Sequence, residues 1–212
     1  KAISFVKRNK DLKGLSLDEL NLQPSIAWDK GILDAWDAGE DGAHDKLTAL
    51  VARRLEGYKL GRDFPAMDST SRLSPHLHFG EISPHQVWFQ VRQAGPCNEE
   101  DLSHYLSELG WREFSYYLLF HWPTLPEQPF QPKYKAFPWG TDNEGLEQWQ
   151  KGQTGFPIID AGMRELWQTG YMHNRVRMIV GSFLIKNQLI HWQQGARWFW
   201  DCLVDADLAS NS

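Results

Sequence analysis

The sequence predicts an all-α protein. Two observations support this fold class: apolar residues recur at helical spacing along most of the 212-residue chain, and no stretch alternates as a half-buried strand would. The first helical region covers residues 26–58, where Ile32, Leu33 and Trp36 share one face. A break at residues 39–42, with a glycine at each end, divides this region into two helices.

Six further helices are expected, each resuming the apolar spacing after turn-forming residues. They cover residues 84–93, 101–121, 146–151, 157–169, 174–188 and 194–204. Pro157 suits the first turn of its helix, because its missing N–H would be unpaired there anyway, and Gly170 suits the end. Asn174 is a natural N-cap for the next helix. Residues 59–74 and 122–145 are expected to be irregular.

Composition limits the classes of function. The net charge of −5 argues against a nucleic-acid partner held by bulk electrostatics alone, although a local basic patch stays open. Cys97 and Cys202 give neither a disulfide framework nor a metal-binding spacing, which indicates a reducing compartment and predicts a cytoplasmic location. No stretch is apolar enough to span a bilayer, and the first residues lack the apolar region of a signal peptide. We therefore expect neither a membrane partner nor a metal site.

The run of residues 154–178 places polar side chains inside an apolar helical pattern. In a helix that starts near Asn174, one face is apolar and consists of Val176, Ile179, Val180 and Phe183. The opposite face is mixed and consists of Asn174, Arg177, Met178 and Gly181. A solvated surface is the simple interpretation, but such a surface would favour Lys, Glu or Ala over Gly and Met. A flat and partly apolar face of this kind suits a planar ligand.

A polar cluster on the irregular segment before residue 75 is a candidate phosphate site. The cluster consists of Tyr58, Arg62, Thr70, Ser71, Arg72, Leu73 and Ser74. Hydroxyl and backbone N–H groups in a loop just before a helix can bind phosphate oxygens. The alternative is an ordinary Ser/Thr-rich turn that caps the helix, and spacing alone favours this alternative.

A second candidate lies within one helical turn, in the sequence L-S-E-L-G-W-R-E-F. Glu108 and Arg112 are spaced i, i+4 in the favourable order, which predicts a plain surface ion pair. Trp111 follows Gly110, a residue that costs helix stability and leaves space beside the ring. A nucleobase or a flavin could stack on Trp111, although a packed tryptophan is the commoner arrangement.

Two carboxylates near the end of the chain, Asp205 and Asp207, could form a metal pair or perform acid–base chemistry. Neither a histidine nor a third carboxylate stands at a recognisable spacing, so we expect no metal there. Arg177 is the more plausible counter-ion for these carboxylates. The histidines of H-L-H-F and M-H-N-R are too scattered for a zinc site and are interpreted as structural.

Five segments, taken in order, closely resemble the photolyase/cryptochrome flavoprotein family. They are R-D-F-P-A-M-D-S-T-S-R-L-S-P-H-L-H-F-G-E-I-S-P, L-S-E-L-G-W-R-E-F, W-Q-K-G-Q-T-G-F-P-I-I-D-A-G-M-R, G-Y-M-H-N-R-V-R-M and D-A-D-L-A-S-N. The resemblance extends from about Trp28 to Ser212. It implies the helical FAD-binding domain of that family, here residues 26–212 and incomplete, after a linker or docking segment at residues 1–25. It also implies an α/β domain with an antenna chromophore before Lys1 and the last helices of the flavin domain after Ser212.

The resemblance implies a set of FAD-binding residues. The FAD phosphates and ribityl chain would be held by Tyr58, Thr70, Ser71, Leu73 and Ser74. The isoalloxazine ring would lie against Asn174 and Arg177, with Asp205 as the partner of Arg177. Asp207 would lie near the pyrimidine edge of the ring. Asn211 would face flavin N5, where an asparagine is typical of DNA-repairing members and favours fully reduced FAD.

The resemblance also implies light-driven repair of UV-damaged DNA, by electron transfer from excited reduced FAD to a cyclobutane pyrimidine dimer. Glu108 would hydrogen-bond the dimer, Trp111 would stack on it and Met178 would contact its other flank. Contacts with DNA are expected from Arg62, Trp111, Arg112 and Arg175. Trp149 and Trp192 match members of the electron-hopping chain of the family.

A cryptochrome-type blue-light photoreceptor is the alternative function, because it uses the same flavin pocket. A stable oxidised flavin at rest and an absence of DNA binding would favour it. We expect a monomer in either case.

Overall fold

The structure, a computed structural model, describes residues 14–16, 18–95 and 97–211. These residues form helices and turns, and they contain no β-strand, only an isolated parallel bridge between Gly140 and Ile190. The predicted all-α fold is therefore confirmed. None of the described helices is long and apolar enough to cross a membrane. Contacts divide the chain into two units, residues 1–30 and 31–212.

Most of the helices follow one another with short connections, but residues 122–142 form a long segment between α6 and α7. The α-helices are α1 (Lys30–Ala35), α2 (Glu40–Ala49), α3 (Tyr58–Gly61), α4 (Ser74–His78), α5 (Pro84–Gln93), α6 (Glu99–His121), α7 (Asn143–Gln150), α8 (Pro157–Thr169), α9 (Asn174–Ser182) and α10 (Trp192–Cys202). Wider π-helical turns extend α2 over Leu50–Arg54 and α9 over Phe183–Asn187. Short 3-10 helices cover Asp18–Leu20 and Pro132–Ala136.

Helices α6, α7 and α10 begin two or three residues before their predicted starts, and two further features also differ from the sequence predictions. His173, not Asn174, caps α9, because its Nδ1 accepts a hydrogen bond from the Arg175 N–H at 3.2 Å. Burial lowers the pKa of His173, so the ring nitrogen stays neutral and able to accept this bond. The segment predicted to be irregular over 59–74 contains α3, which begins at Tyr58 after a left-handed Gly57.

The first apolar core packs α2 and its π-turn against α5 and α6. Leu47, Leu50 and Val87 are fully buried in it, and each such side chain contributes about 1.5–3 kcal/mol. The Tyr105 ring of α6 meets the Tyr58 ring edge to face, with a centroid distance of 5.1 Å. This contact fixes the start of α3 beneath α6.

The second core is built from α7, α8, α9 and α10. Trp149, Met163 and Val180 are fully buried there. Gly162 lets α8 and α9 approach closely, because a Cβ at that position would collide with Val176 Cγ1. The approach holds α9 rigidly against α8 and so positions the polar side chains on the opposite face of α9.

The predicted apolar face of α9 is only partly buried. Val176 and Val180 are buried against α8, and Phe183 packs at the border of the second core. Ile179 is 39% exposed, contrary to its predicted place in that face. Residues at i and i+4 form the row that meets α8, and Ile179 lies beside this row instead of within it.

Asp160 fastens the turn that precedes α8. Its Oδ1 accepts from the Thr154 N–H at 2.8 Å and from the Thr154 hydroxyl at 2.6 Å, while Oδ2 accepts from the Gly155 N–H at 3.0 Å. Burial would raise the pKa of Asp160, but these three donors outweigh it and hold the pKa below the usual range. The ionised carboxylate therefore stabilises the turn.

Replacing Asp160 with asparagine is expected to lower the free energy of unfolding by about 1–3 kcal/mol at pH 7, because the donors of Thr154 and Gly155 lose a charged acceptor. The folded-state pKa is depressed, so this contribution is present above the unfolded pKa and is lost as pH falls through the folded pKa. Thermal unfolding from pH 7 down to pH 3 should show the difference between wild type and Asp160→Asn shrinking. A difference that stays constant with pH would contradict the assignment.

Candidate functional site

A cavity of about 520 Å³, called the main cavity, opens where α3, α4, α6, α9 and α10 meet the segment after α10. Most of the predicted FAD-binding residues line it, namely Tyr58, Ser71, Ser74, Asn174, Arg177, Asp205, Asp207 and Asn211. The remaining two, Thr70 and Leu73, line a smaller cavity of about 140 Å³ whose walls also include Tyr58, Ser71 and Ser74. The structure therefore brings the predicted cofactor residues together.

Arg177 and Asp205 form a buried ion pair in the wall of the main cavity. Arg177 Nη2 donates to Asp205 Oδ2 at 2.9 Å, and Arg177 Nε donates to the Met172 carbonyl at 2.7 Å. Only 16% of the Arg177 side chain and 4% of the Asp205 side chain are exposed. The predicted pairing of these two residues is confirmed.

A tight turn holds Asp207 and Asn211 at the end of the described chain. The Asn211 N–H donates to the Asp207 carbonyl at 2.9 Å, and the Asp207 N–H donates to Asn211 Oδ1 at 2.9 Å. The Ser210 N–H donates to Asp207 Oδ1 at 2.7 Å. Because Asn211 Oδ1 is engaged by the backbone, the amide NH₂ is the group that Asn211 offers to the cavity.

Tyr58 contributes a neutral phenol to the site. Burial raises the pKa of Tyr58 to about 12, so its hydroxyl keeps its proton at neutral pH. Together with the hydroxyls of Ser71 and Ser74, it gives one end of the main cavity hydrogen-bond donors suited to phosphate oxygens.

A second cavity of about 600 Å³, called the outer cavity, adjoins the main cavity along α6 and α9. All the residues predicted to contact the lesion or DNA line it, namely Arg62, Glu108, Trp111, Arg112, Arg175 and Met178. Five residues line both cavities, namely Glu108, Arg112, Asn174, Met178 and Ser210, and three of them, Glu108, Asn174 and Met178, are called the shared wall below. The Trp111 ring is 61% exposed, as a stacking platform requires and a packed core tryptophan does not.

Glu108 does not form the predicted ion pair with Arg112. Its Oε1 accepts instead from Arg62 Nη1 of α3's C-terminal end, an arginine that is only 7% exposed. Arg112 Nη1 bonds to Glu113 at 2.9 Å, and its guanidinium lies over the Tyr116 ring at 4.7 Å from the centroid. Glu108 therefore pairs with Arg62, 46 positions away, and not with Arg112 on its own helix. The Arg62 guanidinium is buried, so its hydrogen bond to Glu108 is stronger than one formed on the solvated surface of the helix.

Arg62 and Arg175 differ in what they offer to a phosphate. The burial of Arg62 against Glu108 suits it to orienting that carboxylate more than to contacting DNA. Arg175 Nε donates to Asp63 Oδ1 at 2.7 Å, and this bond holds the pKa of Asp63 below its usual range. With 36% of its side chain exposed, Arg175 lies at the edge of the outer cavity where a charged backbone could reach it.

The two predicted electron-hopping tryptophans lie apart from the cavity walls. Trp149 is completely buried in the second core, and its Nε1–H donates to the Val180 carbonyl at 3.1 Å. Its ring stacks on Phe199 at a centroid distance of 5.9 Å, and Phe199 lines the main cavity. Trp192 begins α10, with its ring 5.7 Å from that of His191.

Several wall residues were not predicted from the sequence. His78, Tyr105 and Phe199 line the main cavity, and Ser210 lines both cavities. Phe199 belongs to an aromatic run on α10 in which the sequence alone gives no reason to separate it from its neighbours. Ser210 lies within the D-A-D-L-A-S-N segment, so its place among predicted site residues could have indicated that it lines the site.

The helical fold and the two adjoining cavities fit a flavin-binding domain, and similarity to known proteins identifies its family. Residues 105–212 match the family model described as the FAD binding domain of DNA photolyase. The chain belongs to this family, the photolyase/cryptochrome flavoproteins.

Known relatives share both sequence and structure with the chain. A deoxyribodipyrimidine photo-lyase of Agrobacterium fabrum is 52% identical over 87% of the chain and 39% of that protein. The crystal structure of a class III photolyase from Agrobacterium tumefaciens superposes with a TM-score of 0.90 and 50% identity, covering 94% of the chain and 42% of that structure. Cryptochrome-1 of Arabidopsis thaliana is 39% identical over 84% of the chain and 27% of that protein. The chain thus spans about two fifths or less of the length of these relatives.

The residues present fit FAD. Asp205 Oδ1 is buried and finds no hydrogen-bond partner in the part of the chain that the structure describes, although Asp205 lines the main cavity. A buried acceptor without a donor costs free energy unless a ligand or a water supplies one. A flavin ring carries an N–H donor for such an acceptor, and the hydroxyls of Tyr58, Ser71 and Ser74 suit its phosphates.

Proposed function

We propose that the protein is a light-driven DNA-repair enzyme that splits cyclobutane pyrimidine dimers, with fully reduced FAD in the main cavity and the dimer in the outer cavity. The observation that carries this proposal is the shared wall of Glu108, Asn174 and Met178, which lines both cavities. Ligands in the two cavities would be separated by one layer of side chains, which would give electron transfer a short path. The photo-lyase relatives support the same reaction.

When bound in its reduced form, FAD would supply light-driven electron donation to the dimer, and the electron would return once the ring has opened, because splitting the dimer involves no net oxidation or reduction. The side chains bind and orient the reactants. Glu108, with one oxygen held by Arg62, presents its second oxygen to an N–H donor of the dimer. Trp111 offers an exposed face for stacking, and Met178, 58% exposed, offers an apolar contact. Extruding a damaged and poorly paired dimer from the duplex costs less than extruding an intact base.

The full-length protein with reduced FAD, incubated with an oligonucleotide that contains a cyclobutane dimer, tests the proposal. We expect dimers to disappear under blue light and to persist in a dark control. Dimers that persist under blue light, while reduced FAD is spectroscopically present, would rule this function out.

A blue-light photoreceptor of the cryptochrome type is the second candidate, since the chain is also similar to Arabidopsis cryptochrome-1. Its flavin would rest in the oxidised form, and the protein would not bind dimer-containing DNA. The repair assay and a DNA-binding measurement on the same preparation therefore separate the two candidates.

Trp111→Ala is expected to weaken binding of dimer-containing DNA by about 1–3 kcal/mol, the usual worth of one aromatic–base stack. FAD content should stay unchanged, because Trp111 lines the outer cavity. Trp88→Ala on α5 is the matched control, as that ring is also partly exposed (42%) and should leave both affinities unchanged. Fluorescence titration with dimer-containing DNA measures the first effect, and flavin absorbance measures the second. Equal loss of FAD and DNA binding would identify Trp111 as a structural residue.

We also propose that the protein acts as a monomer in the cytoplasm. Cys97 and Cys202 are both free thiols, which is consistent with a reducing compartment. Light scattering of the full-length protein would reveal any stable oligomer.

A further inference from the structure

Tyr116 joins α6 to the turn that holds Asn211, and the proposed function gives it no role. Its hydroxyl donates to Asp207 Oδ2, a residue 91 positions further along the chain. Its ring carries the Arg112 guanidinium at 4.7 Å. Tyr116 itself is outside the wall of the main cavity, so any effect on a ligand there must pass through Asp207.

Asp207 is the residue through which such an effect can reach the cavity. Its carboxylate receives Tyr116 on one oxygen and the Ser210 N–H on the other, and its N–H donates to Asn211 Oδ1. The position of the Asn211 amide therefore depends on the position of Asp207. The Tyr116 hydroxyl and the Ser210 N–H together hold the carboxylate in place, and the Asp207 N–H holds the Asn211 side chain beside it.

The charge of Asp207 is held by the same contacts. Burial would raise its pKa, but the hydrogen bonds from Tyr116 and Ser210 outweigh burial and keep the pKa below the usual range. The Asp207 side chain is 14% exposed, and His78 Nδ1 lies 3.9 Å from its Oδ2. The Arg112 guanidinium lies over the Tyr116 ring, and Arg112 also lines the main cavity. Tyr116 is thus a side-chain donor from another element, α6, that stabilises the negative charge of Asp207 at this point of the wall.

We propose that Tyr116 is a positioning residue whose hydroxyl fixes the Asp207 carboxylate, and through it the Asn211 amide, so that the reduction potential of bound FAD depends on Tyr116. The proposal rests on the proposed presence of FAD in the main cavity. Without the hydroxyl, the carboxylate keeps more of its negative charge exposed to the flavin. Added electron density on the flavin is then stabilised less, and the potential becomes more negative.

Tyr116→Phe in the full-length, FAD-loaded protein removes only the hydroxyl. We expect spectroelectrochemistry to show a more negative reduction potential. We also expect the reduced flavin to reoxidise in air, in the dark, roughly ten-fold faster, which corresponds in rate to one weakened charge-assisted hydrogen bond. Tyr117→Phe is the matched control, because its neighbouring hydroxyl makes no hydrogen bond within residues 14–16, 18–95 and 97–211. It should leave both quantities at their wild-type values.

A double-mutant cycle separates two explanations of a changed potential: loss of the hydrogen bond from Tyr116 to Asp207, and a less well-packed helix α6. In an Asp207→Asn background, Tyr116→Phe should produce no further change in potential. An unchanged potential in the single variant, or an equal further change in that background, would overturn the role of Tyr116 while FAD binding stands. Loss of FAD from Tyr116→Phe alone would also overturn it, since a positioning residue outside the cavity leaves the cofactor bound. A wild-type protein that holds no FAD would instead overturn the proposed function.

Discussion

Arg177→Ala is expected to lower the free energy of unfolding by about 3–5 kcal/mol, because it leaves the buried Asp205 carboxylate without a counter-ion. The loss includes the bond that ties Arg177 to the Met172 carbonyl before α9. Both residues of the pair line the main cavity, so the variant should also fail to retain FAD. Urea denaturation measures the stability change, and flavin absorbance after gel filtration measures cofactor retention.

Arg92→Ala provides the control for this prediction. Arg92 is exposed in the last turn of α5, where an arginine contributes no more than about 0.3–1 kcal/mol through the helix dipole. A comparable loss of stability in both variants would show that the buried ion pair does not carry the effect. An Arg177→Ala protein that binds FAD normally would remove Arg177 from the cofactor site.

Trp149→Ala is expected to cost about 3–5 kcal/mol of stability, since it opens a large cavity at the centre of the second core. The side chain is fully buried, and its removal also leaves the Val180 carbonyl without its indole donor. Thermal and urea unfolding would register the change, and the variant should express poorly at 37 °C. A loss below about 1 kcal/mol would mean that the core repacks around the missing ring.

A second substitution at this position tests electron hopping apart from packing. Trp149→Phe keeps an aromatic ring in the core but removes the indole, so it should cost only about 1–2 kcal/mol. If Trp149 carries electrons towards the flavin through Phe199, light-driven reduction of oxidised FAD should slow in Trp149→Phe while its binding persists. Photoreduction at the wild-type rate would assign Trp149 a packing role alone.

Local signals in the sequence predicted the fold well. Helix α5 and helix α8 begin and end at the predicted residues. Pro84 and Pro157 favour the first turn of a helix, and Gly170 adopts the left-handed conformation that ends one, so these effects are local. Helix α9 begins at Asn174 as predicted, but its N-cap is His173 and not Asn174, since both residue types are able to cap and only the fold decides between them. The short helix α3 was missed because four residues carry too little periodicity.

The contacts in the site were predicted less accurately than the helices, because several of them join residues that are far apart in the sequence. The Arg177–Asp205 pair was expected because the family resemblance supplied both members. The predicted pairing of Glu108 with Arg112 was wrong. The i, i+4 rule applies only to residues on the same helix, whereas Arg62 lies at the end of a different helix, α3. Tyr116 was missed for the same reason, because its partner Asp207 lies on the far side of the fold.

The wall formed by Glu108, Asn174 and Met178 has a thermodynamic consequence. Under the proposed function, each of these side chains would contact FAD on one side and damaged DNA on the other, so the ligand that binds first would fix the rotamers that the second ligand meets. Linkage requires the resulting change in affinity to be the same in both directions. The affinity for damaged DNA should therefore differ between the apo and FAD-loaded protein by the same factor by which DNA changes the affinity for FAD.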